Sequence, residues 1–123
     1  VYGFYTGLAL LNSFGITTQM PNVIEVFTNN EATKSRRVTI NNQTIIVKRA
    51  RTKINNSNYK EMMLLELFNL ADVRSIDARA TQKIVDYMKQ NNISIQGIMK
   101  YAKFVPARAI KNFMSSEVQN AFA

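Results

Sequence analysis

The sequence lacks both cysteine and histidine. Without cysteine, the chain has no disulfide framework and no thiolate nucleophile. Without histidine, it has neither the commonest general base nor the commonest metal ligand, which argues against a nucleophile–base pair and against a zinc site. The four glycines are scattered, so none of them belongs to a phosphate-binding loop. These absences predict a protein that is not an enzyme and that needs no metal or other cofactor.

Long hydrophobic runs are absent too. No apolar run approaches the roughly 18 residues that span a membrane. The short apolar run at residues 7–11 is preceded by no basic residue, unlike the core of a signal peptide. We therefore expect a cytoplasmic protein. With 123 residues, the chain has the length of one domain, and we expect residues 1–123 to form it.

Acidic residues are few, because 8 of them stand against 16 basic ones and give a net charge of +8. Positions 34 to 53 hold seven basic residues and no acidic one, namely Lys34, Arg36, Arg37, Lys48, Arg49, Arg51 and Lys53. Such a focused positive field favours phosphate or an acidic protein partner. We take these residues as candidates for contacts with the phosphate backbone of DNA that do not depend on base sequence. The alternative is that they form only the solvated rim of a small sheet.

The middle of this basic stretch has the pattern of a β-hairpin. Residues 36–40 and 43–49 are rich in β-branched side chains. Asn41-Asn42 lies between them and suits a type I′ turn, because asparagine tolerates a positive φ.

The hairpin register divides its side chains between two faces. Val38 would face Ile45 across the ladder, on the same side as Val47. This side is the more apolar one, so we expect it to face the core. We expect the opposite side, which carries Arg37 and Lys48, to face solvent.

The pattern before the hairpin is a helix and then a strand. Residues 4–14 have helical spacing, with Thr6 as the predicted N-cap and Gly15 as the C-terminal glycine. Residues 22–28 form a nearly continuous run of β-formers that is typical of a strand covered on both faces, with Glu25 as the polar exception.

After residue 53 the hydrophobic period changes from two to 3.6. Helices are predicted over 58–70, 78–90 and 94–103, followed by one that starts at Pro106 and runs to about residue 114, with a short final helix behind it. We therefore predict an α+β fold. Residues 1–53 would form a short helix and a small antiparallel sheet, and residues 54–123 a helical half of about four helices.

Two alternatives to a nucleic-acid-binding domain remain open at this point. A metal-dependent nuclease would need clustered carboxylates beside a lysine. Glu25 and Lys48 lie on predicted strands, but no second acid has a suitable strand position, and a carboxylate paired with a basic neighbour explains Glu25 more simply. The second alternative is a protein-interaction module, which would expose an apolar patch rather than a basic one.

One segment resembles a known family. The string YGFYTGLALLNSFGITTQMPNVIEVFTNN at residues 2–30 resembles the AbiEi-type antitoxins and transcriptional regulators of bacterial type IV toxin–antitoxin systems. The matching features are Tyr5-Thr6-Gly7, the run Gly15-Ile16-Thr17-Thr18-Gln19, Pro21, and a strand that ends in Thr28-Asn29. The later run IMKYAKFVPARAIKNF at residues 98–113 is similar to the helical tail of that family.

The resemblance implies that DNA binding and antitoxin activity belong to two different domains. In that family an N-terminal winged helix binds operator DNA, and a second domain carries the antitoxin activity. This chain would be the second domain without the winged helix, in line with its start at Val1. Its counterpart would be a nucleotidyltransferase-like toxin of an abortive-infection system, countered without a stable complex. The second domain of the family also has basic surface that supports DNA binding.

Overall fold

A computed structural model describes residues 2–31 and 34–122, which form a four-stranded sheet and five α-helices. The strands are β1 (Gly3–Thr6), β2 (Val23–Thr28), β3 (Ser35–Ile40) and β4 (Gln43–Arg49). The helices are α1 (Gly7–Ser13), α2 (Tyr59–Leu70), α3 (Ala78–Gln90), α4 (Ile95–Met99) and α5 (Ala107–Ser115). Short 3-10 helices cover Val73–Ser75, Ala102–Phe104 and Glu117–Phe122. The predicted α+β class is confirmed.

The sheet is mixed, so the prediction of an antiparallel sheet was wrong. Its strand order is β1-β2-β4-β3, and β2 runs parallel to β4 while the two outer pairs are antiparallel. The hairpin docks on β2 through its second strand, whose Ile45, Ile46 and Val47 suit a central position. The first strand carries Arg36 and Arg37 to the sheet edge, where charged side chains discourage pairing with other chains.

The turn of the hairpin has the predicted geometry. Asn41 and Asn42 have φ values of 51° and 64°, as a type I′ turn requires. Val38 pairs with Ile45, and Arg36 pairs with Val47, so the register is the predicted one.

The segment 4–14 is not a single helix. Gly3–Thr6 pairs with β2 as an edge strand, which the aromatic and β-branched side chains of Phe4, Tyr5 and Thr6 favour. Thr6 makes no capping hydrogen bond to α1; its hydroxyl donates instead to the buried carboxylate of Glu66 in α2. Gly7, at φ 66°, makes the turn from strand to helix.

The hydrophobic core is helical. Its buried side chains, none of which comes from a strand in the described ranges, are Leu10, Phe14, Leu64, Leu65, Leu67, Phe68, Ile84, Val85, Met88, Ile93, Ile98, Phe113 and Val118. Phe68 of α2 meets Phe113 of α5 edge to face, with 5.2 Å between ring centroids. As the apolar pattern predicted, α2 is buried over most of its circumference.

The ends of the later helices are set by local capping. Asp77 accepts a hydrogen bond from the backbone N–H of Ala80 at 2.8 Å, and α3 has the predicted bounds. Ser94 caps α4 in the same way, but α4 ends at Met99, short of the predicted residue 103. Pro106 lies at the N-cap of α5.

The two faces of the sheet differ in what covers them. We call inner the face that carries Phe4, Thr6, Glu25, Phe27, Ile46 and Lys48, and outer the face that carries Tyr5, Ile24, Val26, Val38, Ile45 and Val47. The helices lie against the inner face, where Thr6 contacts Glu66 and Phe27 is buried.

The prediction that the apolar side of the hairpin faces the core was therefore wrong, and so was the prediction that β2 is covered on both faces. The hairpin register decides which side chains share a face. It does not decide which face the helices cover. The helices cover the face that carries Thr6, where β1 contacts α2 through the hydrogen bond from Thr6 to Glu66.

Candidate nucleic-acid interface

A polar hollow lies where the parallel strands β2 and β4 end. Both strands finish at the same edge of the sheet, and the chain that follows each of them lines a depression of about 520 Å³. Its polar lining is Tyr2, Asn29, Asn30, Glu31, Arg49, Thr52 and Lys53. Two of the predicted cations, Arg49 and Lys53, thus lie in a single concave surface, at the kind of place where sheets with parallel strands bind ligands.

The walls of the hollow are fixed by hydrogen bonds. The side chain of Asn29 accepts from the backbone N–H of Ile54 at 2.7 Å and donates to its carbonyl oxygen at 2.5 Å. The backbone N–H of Ala50 donates to the carbonyl oxygen of Thr28 at 3.0 Å. These bonds join the loop after β2 to the segment after β4, so the hollow is preformed.

One ion pair stands at the rim of the hollow. The carboxylate of Glu31 is only 6 % exposed and accepts a hydrogen bond from Nε of Arg36. The Arg36 side chain is 56 % exposed, which leaves the rest of its guanidinium facing solvent. Arg36 is therefore oriented by Glu31 but still accessible to a ligand.

Lys48 and Arg51 belong to the inner face. Nζ of Lys48 lies 2.8 Å from Oε1 of Glu25, and Nη1 of Arg51 lies 2.8 Å from Oε1 of Glu66. Both cations also lie over the ring of Phe27, at 5.8 Å and 4.8 Å from its centroid. The positive charges of Lys48 and Arg51 are therefore largely compensated by carboxylates within the protein.

Glu66 is the residue at this site that the sequence interpretation missed. It is 2 % exposed in the middle of α2, and besides Arg51 it accepts hydrogen bonds from the hydroxyl of Thr6 and from the amide of Asn69, the latter at 3.2 Å. A signal was present in the sequence: one carboxylate interrupts the apolar run MMLLELF. Glutamate is almost never buried without a partner, so this position called for a distant cation.

Three of the seven cations make no ion pair among the described residues. Lys34, Arg37 and Lys53 are all exposed. Lys34 lies at the hollow end of the sheet, since its carbonyl oxygen accepts from the backbone N–H of Arg49 at 3.1 Å. Arg37 points to the inner side of β3, opposite to Arg36.

The structure thus divides the predicted set. Four cations gather at the hollow end of the sheet, Lys34, Arg36, Arg49 and Lys53. Lys48 and Arg51 lie beneath the sheet, and Arg37 stands apart on the hairpin. One continuous patch of all seven does not form.

The position of Glu25 bears on the nuclease alternative. The carboxylate is 27 % exposed, has Lys48 as its partner, and does not line the polar hollow. Among the described residues, no group of three or more acidic, cysteine or histidine side chains is placed to hold a metal ion. Metal-assisted hydrolysis would need a second carboxylate beside Glu25. The neighbour that the structure places there is the cation Lys48.

Comparison with known protein families, curated proteins and solved structures finds no match for this chain. In the two described ranges, no helix combines the length and the apolar character needed to cross a bilayer.

Proposed function

We propose that this chain is the antitoxin and regulatory domain of an AbiEi-type, type IV toxin–antitoxin system in a bacterial cytoplasm. The family resemblance supports this, and its matching residues have defined positions in the fold. Tyr5-Thr6-Gly7 forms the junction from β1 to α1, and Thr6 bonds to Glu66 in α2. Gly7 and Gly15 have φ values of 66° and 72°, which favour glycine. The motif thus consists of residues on which the local backbone depends.

The proposed biochemical role is a non-catalytic grip on the phosphate backbone of DNA. The observation that carries it is the gathering of Lys34, Arg36, Arg49 and Lys53 at the hollow end of the sheet. Among the described residues that line the hollow, Glu31 is the one acid, and its carboxylate is almost fully covered. Phosphate contacts fix position without reading bases. Such a grip would assist a winged helix that reads the operator.

Salt dependence of DNA binding tests this role. We would compare the wild type with Lys34→Ala/Lys53→Ala on duplexes of unrelated sequence, since these two side chains can be removed from the hollow end without breaking an ion pair among the described residues. Each phosphate contact contributes about 0.9 to the slope of log affinity against log salt. The double variant should bind more weakly to every duplex, with a slope reduced by up to about 1.8.

The matched control removes two positive charges elsewhere. Arg79 and Lys89 are exposed on α3, so Arg79→Ala/Lys89→Ala produces the same change in net charge. This control should keep the wild-type slope. Equal losses in the two double variants would show a general charge effect and would rule out the hollow end as the DNA-binding surface.

The antitoxin role has a separate test. The chain would be produced together with a nucleotidyltransferase-like toxin, which the proposal expects to be encoded beside it, and growth would be compared with and without the chain. We expect the chain to restore growth while failing to co-purify with the toxin. Growth arrest that persists at full expression of the folded chain would refute the antitoxin role and leave the DNA-binding role standing.

A further inference from the structure

The outer face of the sheet carries apolar side chains that are exposed or partly exposed within the described ranges. Its side chains form two rows across the strands, Tyr5–Val26–Val47 and Ile24–Ile45–Val38. Tyr5 is 60 % exposed, and Ile40, at the tip of β3 on the same face, is 53 % exposed. The other side chains of the two rows are partly exposed. The opposite face of the sheet, by contrast, is packed against helices. Contiguous apolar surface of this kind marks an interaction site.

This surface is shaped as well as apolar. Ala9 of α1 borders one end of it, where a depression of about 550 Å³ opens between Tyr5, Val26 and Ile45. A second depression of about 410 Å³ shares Tyr5 and Val26 and continues around the edge strand β1. Among the described helices, those that pack on the sheet, α1 and α2, do so mainly at β1 and β2, so β4 and β3 extend beyond them.

The charges on this face are of one sign. Arg36 ends the row that contains Val47, and Arg49 is the next residue of β4 whose side chain points to the same face. No acidic residue occupies an outer-face position of the four strands, and the nearby Glu31 is covered and paired with Arg36. An apolar centre with two arginines at one end complements a ligand that is apolar in the middle and acidic at one end.

We infer that the outer face binds an acidic amphipathic helix of a partner protein. Strands of six residues span about 20 Å, which a helix of roughly 14 residues matches at about 1.5 Å per residue. Apolar side chains at positions i, i+3, i+4 and i+7 of that helix would pack on the two rows. Its acidic residues would meet Arg36 and Arg49. This inference does not depend on the antitoxin role. It shares Arg36 and Arg49 with the proposed DNA grip, so DNA and the helix would compete for these two side chains.

Two other occupants fit less well. A second copy of this chain would bring the arginine-flanked faces of two molecules of net charge +8 together. A single-stranded nucleic acid would need several aromatic rings for stacking. Here Tyr5 is the one aromatic side chain at the outer-face positions of the four strands, and the aliphatic rows offer no hydrogen bonds to bases.

The test is a selection from a displayed library of 14-residue helical peptides, with the full chain as bait. We expect the enriched peptides to combine helically spaced apolar residues with acidic ones. Affinity for a synthetic copy of the best peptide should fall at least tenfold for Ile45→Thr/Val47→Thr, which keeps β-branched residues in the strand. The affinity for the peptide should also fall in Arg36→Ala/Arg49→Ala. In this variant the affinity should depend less on salt concentration than it does in the wild type.

The control variant is Met20→Thr/Met114→Thr, which removes two exposed apolar side chains elsewhere and should bind as the wild type does. Circular dichroism and urea unfolding would confirm that each variant is folded. The inference is overturned if no peptide is enriched, if the enriched peptides are not acidic, or if Ile45→Thr/Val47→Thr binds normally. It is also overturned if that variant dissociates a homodimer, or if it abolishes binding of a twelve-residue oligothymidylate instead of the peptide.

Discussion

Arg51 and Glu66 join the two halves of the protein, with 2.8 Å between Nη1 of the arginine and Oε1 of the glutamate. Arg51 follows the last strand, and Glu66 lies in the middle of the most buried helix. Thr6, at the end of β1, donates to the same carboxylate. The buried carboxylate of Glu66 thus makes polar contacts with the end of β1, with the segment after β4 and with Asn69 in its own helix. The sheet is attached to the helical core at this point by polar contacts, while apolar packing dominates within the core itself.

Removing the cation from this pair should destabilise the whole fold. In Arg51→Ala, Glu66 would stay buried without its charged partner, and we expect a loss of about 3 kcal/mol of unfolding free energy. This is the low end for a broken buried pair, because the Arg51 side chain is 29 % exposed and water reaches it. Urea unfolding measures the loss.

Two further variants show whether the loss of stability in Arg51→Ala comes from the broken ion pair. Arg37→Ala removes an exposed arginine with no ion pair in the described chain, so it should change stability by less than about 0.5 kcal/mol. Arg51→Met/Glu66→Leu replaces the pair by apolar residues and should recover most of the stability lost in Arg51→Ala. Equal stability of Arg51→Ala and Arg37→Ala would show that the pair contributes nothing.

Gly7 should tolerate alanine less well than Gly15 does. Both residues have a positive φ, so alanine costs about 1–2 kcal/mol at either position. At Gly7 the new Cβ would also collide with Oε2 of Glu25, whereas at Gly15 the nearest atom is Nζ of Lys83 at 3.4 Å. Gly7→Ala must therefore displace Glu25 from its pair with Lys48, and it should be the more destabilising variant in urea unfolding.

A second measurement isolates the collision at Gly7. If Glu25 is the obstacle, Gly7→Ala in a Glu25→Ala background should cost no more than Gly15→Ala costs in the wild type. An unchanged cost in that background would locate the strain in the backbone instead.

Tyr87 should make the protein less stable at alkaline pH. Burial raises the pKa of its phenol well above the usual value of 10.0, and the neighbouring Tyr59 and Glu61 raise it further. The folded state therefore keeps this proton while the unfolded chain loses it. The contribution to stability is complete below pH 10 and declines as the pH rises above it, by up to about 1.4 kcal/mol per pH unit.

The comparison that checks this is urea unfolding at pH 9 and pH 11. Wild type should lose about 1 kcal/mol more between these two pH values than Tyr87→Phe, which has no phenol to ionise. Tyr2→Phe serves as the control because Tyr2 is exposed, and it should follow the wild type. An identical pH dependence of wild type and Tyr87→Phe would contradict the assignment.

The parts of the fold that were predicted from sequence are those with local causes. Asn41 and Asn42 specify their own turn, and with it the register of β3 and β4. Asp77 caps α3 within its first turn. By contrast, β1 exists because it pairs with β2 across the 16 residues of intervening chain, 7–22, and the same residues taken alone have helical spacing. Periodicity within one segment carries no information on that choice.

The same limit applies to the candidate site. All seven cations were recognised from their clustering in the sequence, but their partners come from elsewhere in the chain. Glu25 holds Lys48, Glu66 holds Arg51, and Glu31 holds Arg36. Charge density along a sequence counts each of these residues equally. Only the fold shows which cations are compensated and which gather around the hollow.

Glu31 should weaken DNA binding in the wild type, so its neutralisation should strengthen it. Its carboxylate is the one negative charge among the described residues lining the hollow, and it holds Arg36. In Glu31→Gln the repulsion of phosphate is lost and the charge of Arg36 is no longer compensated, so its contact with phosphate should be stronger. We expect a several-fold gain in affinity for duplex DNA at low salt, with a salt slope steeper by up to about 0.9.

Glu117→Gln makes the same change at an exposed acid far along the chain and should leave the slope unaltered. If Glu31→Gln remains folded by circular dichroism and yet binds DNA no more tightly than Glu117→Gln does, phosphate does not enter the hollow and the grip must lie on another surface.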